Sequence, residues 1–196
     1  MGAPQPFRFD AAVHEYLNPE TGEIYPHITG MLASTGWIDD GWYTEESSER
    51  GTAVHRLTAD YDLGALDVVS CTSRFRNYLL GHIAAVKAVQ VEMLAVEEPL
   101  VHSRYKFGGR PDRDALVVRA RSVWEIKSGV ADRSHQIQTA LQAILVADEA
   151  KLPERSILRF CCYVNAKGRF KVEEHKSMSD FVEAHRIIAR CTGVAA

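Results

Sequence analysis

The stretch that most constrains this chain runs from Asp112 to Lys127. Asp112-Arg113-Asp114-Ala115-Leu116-Val117-Val118 opens with polar residues in alternation and ends in apolar ones, as a half-buried strand does. Arg119-Ala120-Arg121-Ser122 is predicted to turn the chain, and Val123-Trp124-Glu125-Ile126-Lys127 to return antiparallel. Side chains two apart on a strand share a face. Glu125 and Lys127 therefore point one way, while Trp124 and Ile126 point into a core. The hairpin also brings Asp112 and Glu125 near each other at one end of a sheet.

The flanking sequence supplies the other layers. Residues 7–26 read as a hairpin around the turn signal Asn18-Pro19-Glu20-Thr21-Gly22. Thr29 is the expected N-cap of a short helix ending at Gly36. Residues 37–43 form a loop rich in aromatics. A helix is predicted over 44–63, stopping at Gly64, with Val54, Leu57 and Tyr61 as its apolar stripe. A second covers 73–91, with Phe75, Tyr78, Leu79, Ile83, Val86 and Val89 inward. Residues 92–102 read as a strand made irregular by Pro99. After the hairpin come a helix over 134–150, strands over 157–165 and 170–174, and a closing helix over 179–190. This order predicts an α/β fold, a mixed sheet flanked by helices. There is no repeat or linker, so one domain over 1–196 is expected, with an N-terminal hairpin and helices in 1–91 and a core in 92–196.

Bulk properties narrow the functional class. A chain of 196 residues can bury a full-sized core. No apolar run approaches the roughly 20 residues that span a bilayer, so no membrane partner is expected. Met1-Gly2-Ala3-Pro4-Gln5-Pro6 lacks the basic and apolar regions of a signal peptide, which leads to a cytoplasmic expectation. The net charge of −3 does not advertise nucleic-acid binding. Its distribution is uneven: residues 101–133 hold eight Lys/Arg against four acids, whereas residues 1–60 hold three against ten. A basic surface around 101–133 would meet a phosphate backbone. Cys71, Cys161, Cys162 and Cys191 form no CxxC pair and read as free thiols.

Two acids and a lysine arranged as Asp112, Glu125 and Lys127 can hold a divalent cation and activate water against a phosphodiester. Carboxylate oxygens suit Mg²⁺ or Mn²⁺. A lysine ammonium is compact, and its pKa falls when it is crowded. Asp114 shares the strand face and is a fallback ligand. His14, His27, His82, His102, His175 and His185 show no metal spacing and read as structural or surface residues. Trp37, Trp42 and Tyr43 read as core packing, with stacking on the bases of a single strand as the alternative.

Gly109-Arg110-Pro111-Asp112 and Glu125-Ile126-Lys127 resemble the motif of the PD-(D/E)XK nuclease superfamily, and the match is closest to its RecB-like and phage exonuclease branch. Arg50-Gly51-Thr52-Ala53-Val54-His55, Glu97 and Gln138 stand in that family's order. The resemblance implies a restriction-endonuclease-like αβββαβ core. It implies that His55, Asp112, Glu125 and the backbone carbonyl of Ile126 hold Mg²⁺ or Mn²⁺, as one or two ions. Lys127 would hold the attacking water. Glu97, the acid fifteen residues before Asp112, would help with a second metal or orient Lys127. Gln138 would bond to a phosphate or a ligand carboxylate. Family members carry Gln, three residues, then Tyr; Gln142 replaces that Tyr here, which leaves a role for residue 142 in doubt. The closely spaced C-terminal cysteines of iron–sulfur relatives are missing, so no cluster is expected. The implied activity is a DNA exonuclease in recombination, repair or end processing, of phage type, acting on single- or double-stranded ends, with a recombination or helicase protein as partner. The alternatives are a non-catalytic nucleic-acid-binding module of the same fold and a site-specific endonuclease.

Overall fold

The computed structural model describes residues 7–38 and 44–194. Trp42, Tyr43 and the first six residues, on which some of these expectations fall, lie outside the described residues. Strands β1 (Arg8–Asp10), β2 (Glu15–Leu17) and β3 (Ile24–Tyr25) form a small antiparallel sheet. Helices α1 (Ile28–Ser34), α2 (Glu45–Asp62) and α3 (Arg76–Val89) follow. Next come β4 (Val91–Val96), β5 (Leu100–Val101), β6 (Gly108–Gly109), β7 (Arg113–Val117) and β8 (Ala120–Lys127). Helix α4 (Ser134–Ala150), β9 (Leu158–Val164), β10 (Phe170–Glu174) and α5 (Met178–Thr192) complete the chain.

The main sheet has the order β10-β9-β8-β7-β4, with β8 and β9 parallel and the other pairs antiparallel. A parallel neighbour requires a long crossover, and α4 provides it. Strand β8 is covered on both faces. Val123 belongs to the core beneath α4 and α5. Trp124 and Ile126, each 0% exposed, belong to the opposite core with Val54 of α2 and Ala85 of α3. By alternation, Glu125 and Lys127 fall on the α4 side.

Local chemistry accounts for the elements. Thr44 caps α2 in a reciprocal box: its Oγ1 accepts from Ser47 N–H at 3.1 Å, and Ser47 Oγ accepts from Thr44 N–H at 3.0 Å. Glu45 and Glu46 in the first turn complement the helix dipole. Helix α4 is buried along most of its length because it lies between the sheet, α1 and α5. The two-residue turn Val118-Arg119 joins β7 to β8, both residues at positive φ, the pattern of a type I′ turn. No described helix is long and apolar enough to cross a membrane.

Several expectations need correction. The N-cap of α1 is His27, whose Nδ1 accepts from Gly30 N–H, rather than Thr29. The 119–122 turn is displaced to Val118-Arg119, so Ala120 already pairs with Val117. Helix α3 begins at Arg76, and Leu79, Gly81, His82 and Ala85 are its buried residues; Ile83 and Val86 are only half-buried. The 92–102 strand breaks at Glu97, whose φ of 47° turns the chain so that β5 pairs with β6 instead of extending the main sheet. The expected basic surface over 101–133 holds for part of the segment: Arg104, Lys106, Arg110, Arg119 and Arg133 are exposed, whereas Arg113 is buried against Asp62, and Arg121 and Lys127 are half-buried against Asp114 and Glu125.

One buried ion cluster ties α2 and α3 to β7. Asp62 Oδ2 accepts from Arg113 Nε at 2.6 Å and lies 2.8 Å from His82 Nε2, with all three side chains 3% exposed or less. Burial pushes the Asp62 carboxyl up, but His82 and Arg113 together hold it below the ordinary aspartate range. A carboxyl with a lowered folded pKa stabilises fully above its unfolded pKa, and that contribution is lost as pH falls through the folded value. Asp62→Asn should therefore cost about 3–5 kcal/mol near neutral pH. The difference from wild type should shrink below about pH 4, read by urea unfolding at several pH values. A pH-independent difference would remove the ion pair from the account. The type I′ turn gives an opposite prediction. Val118 is β-branched, at φ 50° and 83% exposed. Val118→Asn with Arg119→Gly should stabilise by about 1–2 kcal/mol, seen as a higher urea midpoint at unchanged slope.

Candidate metal and active site

The site forms where widely separated pieces of chain meet at the start of β7 and the end of β8. Gly108 and Gly109 bring the first piece in. A Cβ on Gly108 would run into the Tyr16 ring, and one on Gly109 would lie 2.7 Å from Leu145 Cδ1. Gly108 N–H also donates to Pro26 C=O at 2.8 Å, which docks the N-terminal sheet beside the cleft. The chain then passes Arg110 and Pro111 and delivers Asp112 just before β7.

Asp112 is 7% exposed and held from two sides. Its Oδ1 lies 3.0 Å from His55 Nδ1 on α2, and its Oδ2 accepts from Ile126 N–H on β8 at 2.7 Å. Its carbonyl accepts from Arg113 Nη1 at 2.5 Å and from Glu97 N–H at 3.0 Å. Burial alone would raise the Asp112 pKa, but His55, with Lys127 and Arg113, pulls it down to about 2. The same Asp112 charge raises the His55 pKa against the effect of burial. Glu97 enters from the break after β4, and its Oε2 pairs with Arg110 at 3.1 Å. A non-glycine residue at positive φ is strained backbone, and such strain concentrates at functional positions.

One donor atom from each of His55, Glu97 and Asp112 lies within 4.8 Å of the others. An imidazole and two carboxylates can hold one divalent cation, and this donor set suits Mg²⁺ or Mn²⁺. Glu125 is not one of the three. It is 2% exposed, and its Oε1 accepts from Lys127 Nζ at 2.7 Å and Gln138 Nε2 at 2.8 Å, while its Oε2 accepts from Gln142 Nε2 at 2.7 Å. Lys127 Nζ also donates to Gln138 Oε1 at 2.9 Å. Burial works against its charge, but Glu125 and Asp112 raise its pKa overall. The expected fall is thus reversed: Lys127 is a fixed cation. Its partner Glu125 sits on the same strand face, close enough to outweigh desolvation.

His55, Glu97, Asp112, Glu125, Lys127, Gln138 and Gln142 line one cleft of about 820 Å³. Asp114, the fallback ligand, is elsewhere. Arg121 on β8 grips it through Nε and Nη2, one donor to each carboxylate oxygen, and it lines a separate cavity of about 160 Å³ with Glu98. The backbone turn at Glu97 thus separates Glu97 from Glu98. Gln142 is a site residue that its departure from Gln-x-x-x-Tyr spacing obscured. The readable signal was its i, i+4 relation to Gln138, which places both amides over Glu125. His14 and His27 also line the cleft, their rings 5.5 Å apart, and burial lowers the pKa of both. No spacing rule would have placed them there, because they come from the separate N-terminal sheet. His82 is structural, as expected. The four cysteines are free, with Cys161 and Cys162 buried.

A cation that binds only the folded chain raises its unfolding temperature by mass action. Millimolar Mn²⁺ should therefore raise the melting temperature of wild type. The shift should vanish in Asp112→Asn, which keeps an oxygen for the Ile126 N–H but loses the charge. A variant that retains the full shift would place the cation elsewhere.

No family model matches the chain, and no curated protein does. Among solved structures, the crystal structure of a candidate exonuclease from Eubacterium rectale is similar, with a TM-score of 0.52 and 10% sequence identity, covering 85% of this chain and 77% of that one. The likeness is one of fold: a mixed α/β architecture with a five-stranded sheet flanked by helices.

Proposed function

We propose that the chain is a metal-dependent deoxyribonuclease of the PD-(D/E)XK type, folded as one domain, and an exonuclease acting on DNA ends. The observation that carries this reading is the position of Asp112. It is shared between His55 and the Ile126 N–H, with Glu97 in ligating range, beside Lys127, the next residue of β8, held as a cation. A purely structural hairpin has no need to bury two carboxylates and an ammonium at a cleft. The fold shared with the Eubacterium rectale protein supports a nucleic-acid substrate.

In this reading His55, Glu97 and Asp112 hold Mg²⁺ or Mn²⁺, with Glu125 and the Ile126 carbonyl as the donors on the β8 side. The bound cation supplies a Lewis acid and a water of lowered pKa. Lys127 faces the phosphate and stabilises the charge that develops there. Gln138 and Gln142 would hold Glu125 in place through its two carboxylate oxygens. Arg110 orients Glu97 from the opposite wall. A recombination or helicase protein would deliver DNA ends to the cleft.

The test is degradation of end-labelled linear DNA, single- and double-stranded, with Mg²⁺, Mn²⁺ or EDTA, alongside closed circular DNA. Wild type should degrade linear DNA only with metal, and Lys127→Ala should be slowed by at least about 100-fold. Sparing of circles marks an exonuclease, and their cleavage marks an endonuclease. Absence of metal-dependent cleavage, or equal cleavage by the variant, would leave a non-catalytic binding module of the same fold.

A further inference from the structure

The cleft continues beyond Lys127. Ser47, Gly51, His55 and Lys127 line both the cavity that holds the carboxylates and a second cavity of about 1010 Å³. This second cavity lies between the first turns of α2 and the segment leading into α4, and its chemistry differs. The first is walled by Asp60, Glu97, Asp112 and Glu125. Among the described lining residues of the second, the one carboxylate is Asp132, already occupied by the Ser134 N–H at 2.8 Å.

The same cavity is lined by two cations and three rings. Lys127 reaches both cavities. Arg50, one turn before His55 on α2, has a buried Nε with no hydrogen-bond partner among the described residues. The half-buried Arg50 lines the cavity wall, so its guanidinium is placed to donate to an anion that enters. Guanidinium geometry matches phosphate oxygens. Trp37, Tyr78 and His135 add aromatic surface. Trp37 packs on the α4 core and carries the Arg133 guanidinium 5.2 Å from its ring centre, so its position is fixed. Burial, with Lys127 nearby, lowers the His135 pKa to about 4, which leaves a neutral ring. At Gly51, where the two cavities meet, an added Cβ would find nothing within 4 Å, so the helix backbone is bare to the passage.

A guanidinium beside half-buried rings at a cavity wall recognises a nucleotide whose base is free to stack. The volume suits a nucleotide-sized ligand rather than a duplex. We propose that this second cavity is the subsite for the unpaired nucleotide adjoining the scissile phosphate, with Arg50 as its phosphate contact and Trp37 and Tyr78 as walls for its base. This rests on the nuclease reading. It assigns the strand's path: through the acidic cavity at the metal, past Gly51, into the aromatic one.

The test uses the full chain with Ca²⁺ in place of Mn²⁺, and follows fluorescence anisotropy of a labelled oligothymidylate and of a blunt duplex. Arg50→Gln should weaken oligothymidylate binding roughly tenfold and lower the salt slope by about 0.7. Trp37→Ala should weaken it by a similar factor. Gly51→Leu, whose Cβ enters open space at the passage, should weaken it by narrowing the passage. All three should keep the wild-type Mn²⁺ shift in melting temperature, which shows that fold and metal site are intact. Wild-type affinity in Arg50→Gln and Gly51→Leu, with wild type itself binding and cleaving, would overturn the subsite and leave the nuclease standing. Equal losses on duplex and single strand would overturn the unpaired-nucleotide assignment. A wild type that neither binds nor cleaves would bring down the nuclease reading and the subsite together.

Discussion

Two side chains on one face of α2 grip two successive residues of the sheet. His55 meets Asp112, and Asp62, two turns later, meets Arg113. Residues seven apart on a helix share a face, so the two contacts act as adjacent rungs. They hold the helix that brings the imidazole against the strand end that brings the carboxylate. A buried carboxylate or guanidinium is tolerated only when paired and hydrogen-bonded. Either rung missing would leave an uncompensated charge inside the protein, which is why α2 has one seat on the sheet.

The second constraint is the two-sided burial of β8. Trp124 and Ile126 anchor it in the core shared with α2 and α3. That anchorage turns Glu125 and Lys127 toward α4, a helix otherwise buried among apolar neighbours. Gln138 and Gln142 are the polar residues that make this contact acceptable, since between them and Lys127 both Glu125 oxygens are satisfied. The apolar packing on one face of the strand thus orients the ionic chemistry on the other. The positive φ at Glu97 then diverts the edge strand and sets a second carboxylate opposite Asp112.

The legible parts were those governed by local rules. The 134–150 helix has the boundaries that its flanking turn residues and Pro153 suggested, and α2 begins at the Thr44 cap. The strands of residues 157–165 and 170–174 were readable from apolar runs separated by Ala166-Lys167-Gly168. The misplaced turn at Val118 has a local cause of another kind: tertiary pairing of Ala120 with Val117 overrode a preference against valine at positive φ. The basic segment over 101–133 was readable in part, since Arg104, Lys106, Arg110, Arg119 and Arg133 are exposed while Arg113, Arg121 and Lys127 turn inward to acids. Charge counted along the chain does not say which cations are consumed by buried acids, and Arg113 is spent on Asp62, fifty-one residues upstream.

The sequence by itself determined that a mixed sheet would carry Glu125 and Lys127 on one face of a half-buried strand, because strand alternation and helix periodicity are local properties of the chain. It also marked Asp112 and His55 as the residues worth following. Tertiary structure alone decided which acids meet. Glu97 rather than Glu98 or Asp114 reaches His55 and Asp112, and Glu125 turns to the α4 glutamines. It alone decided that Lys127 stays charged and that Arg50 and Trp37 line a common cavity. Those outcomes depend on distances between segments far apart in sequence, and such distances are set by how the layers pack.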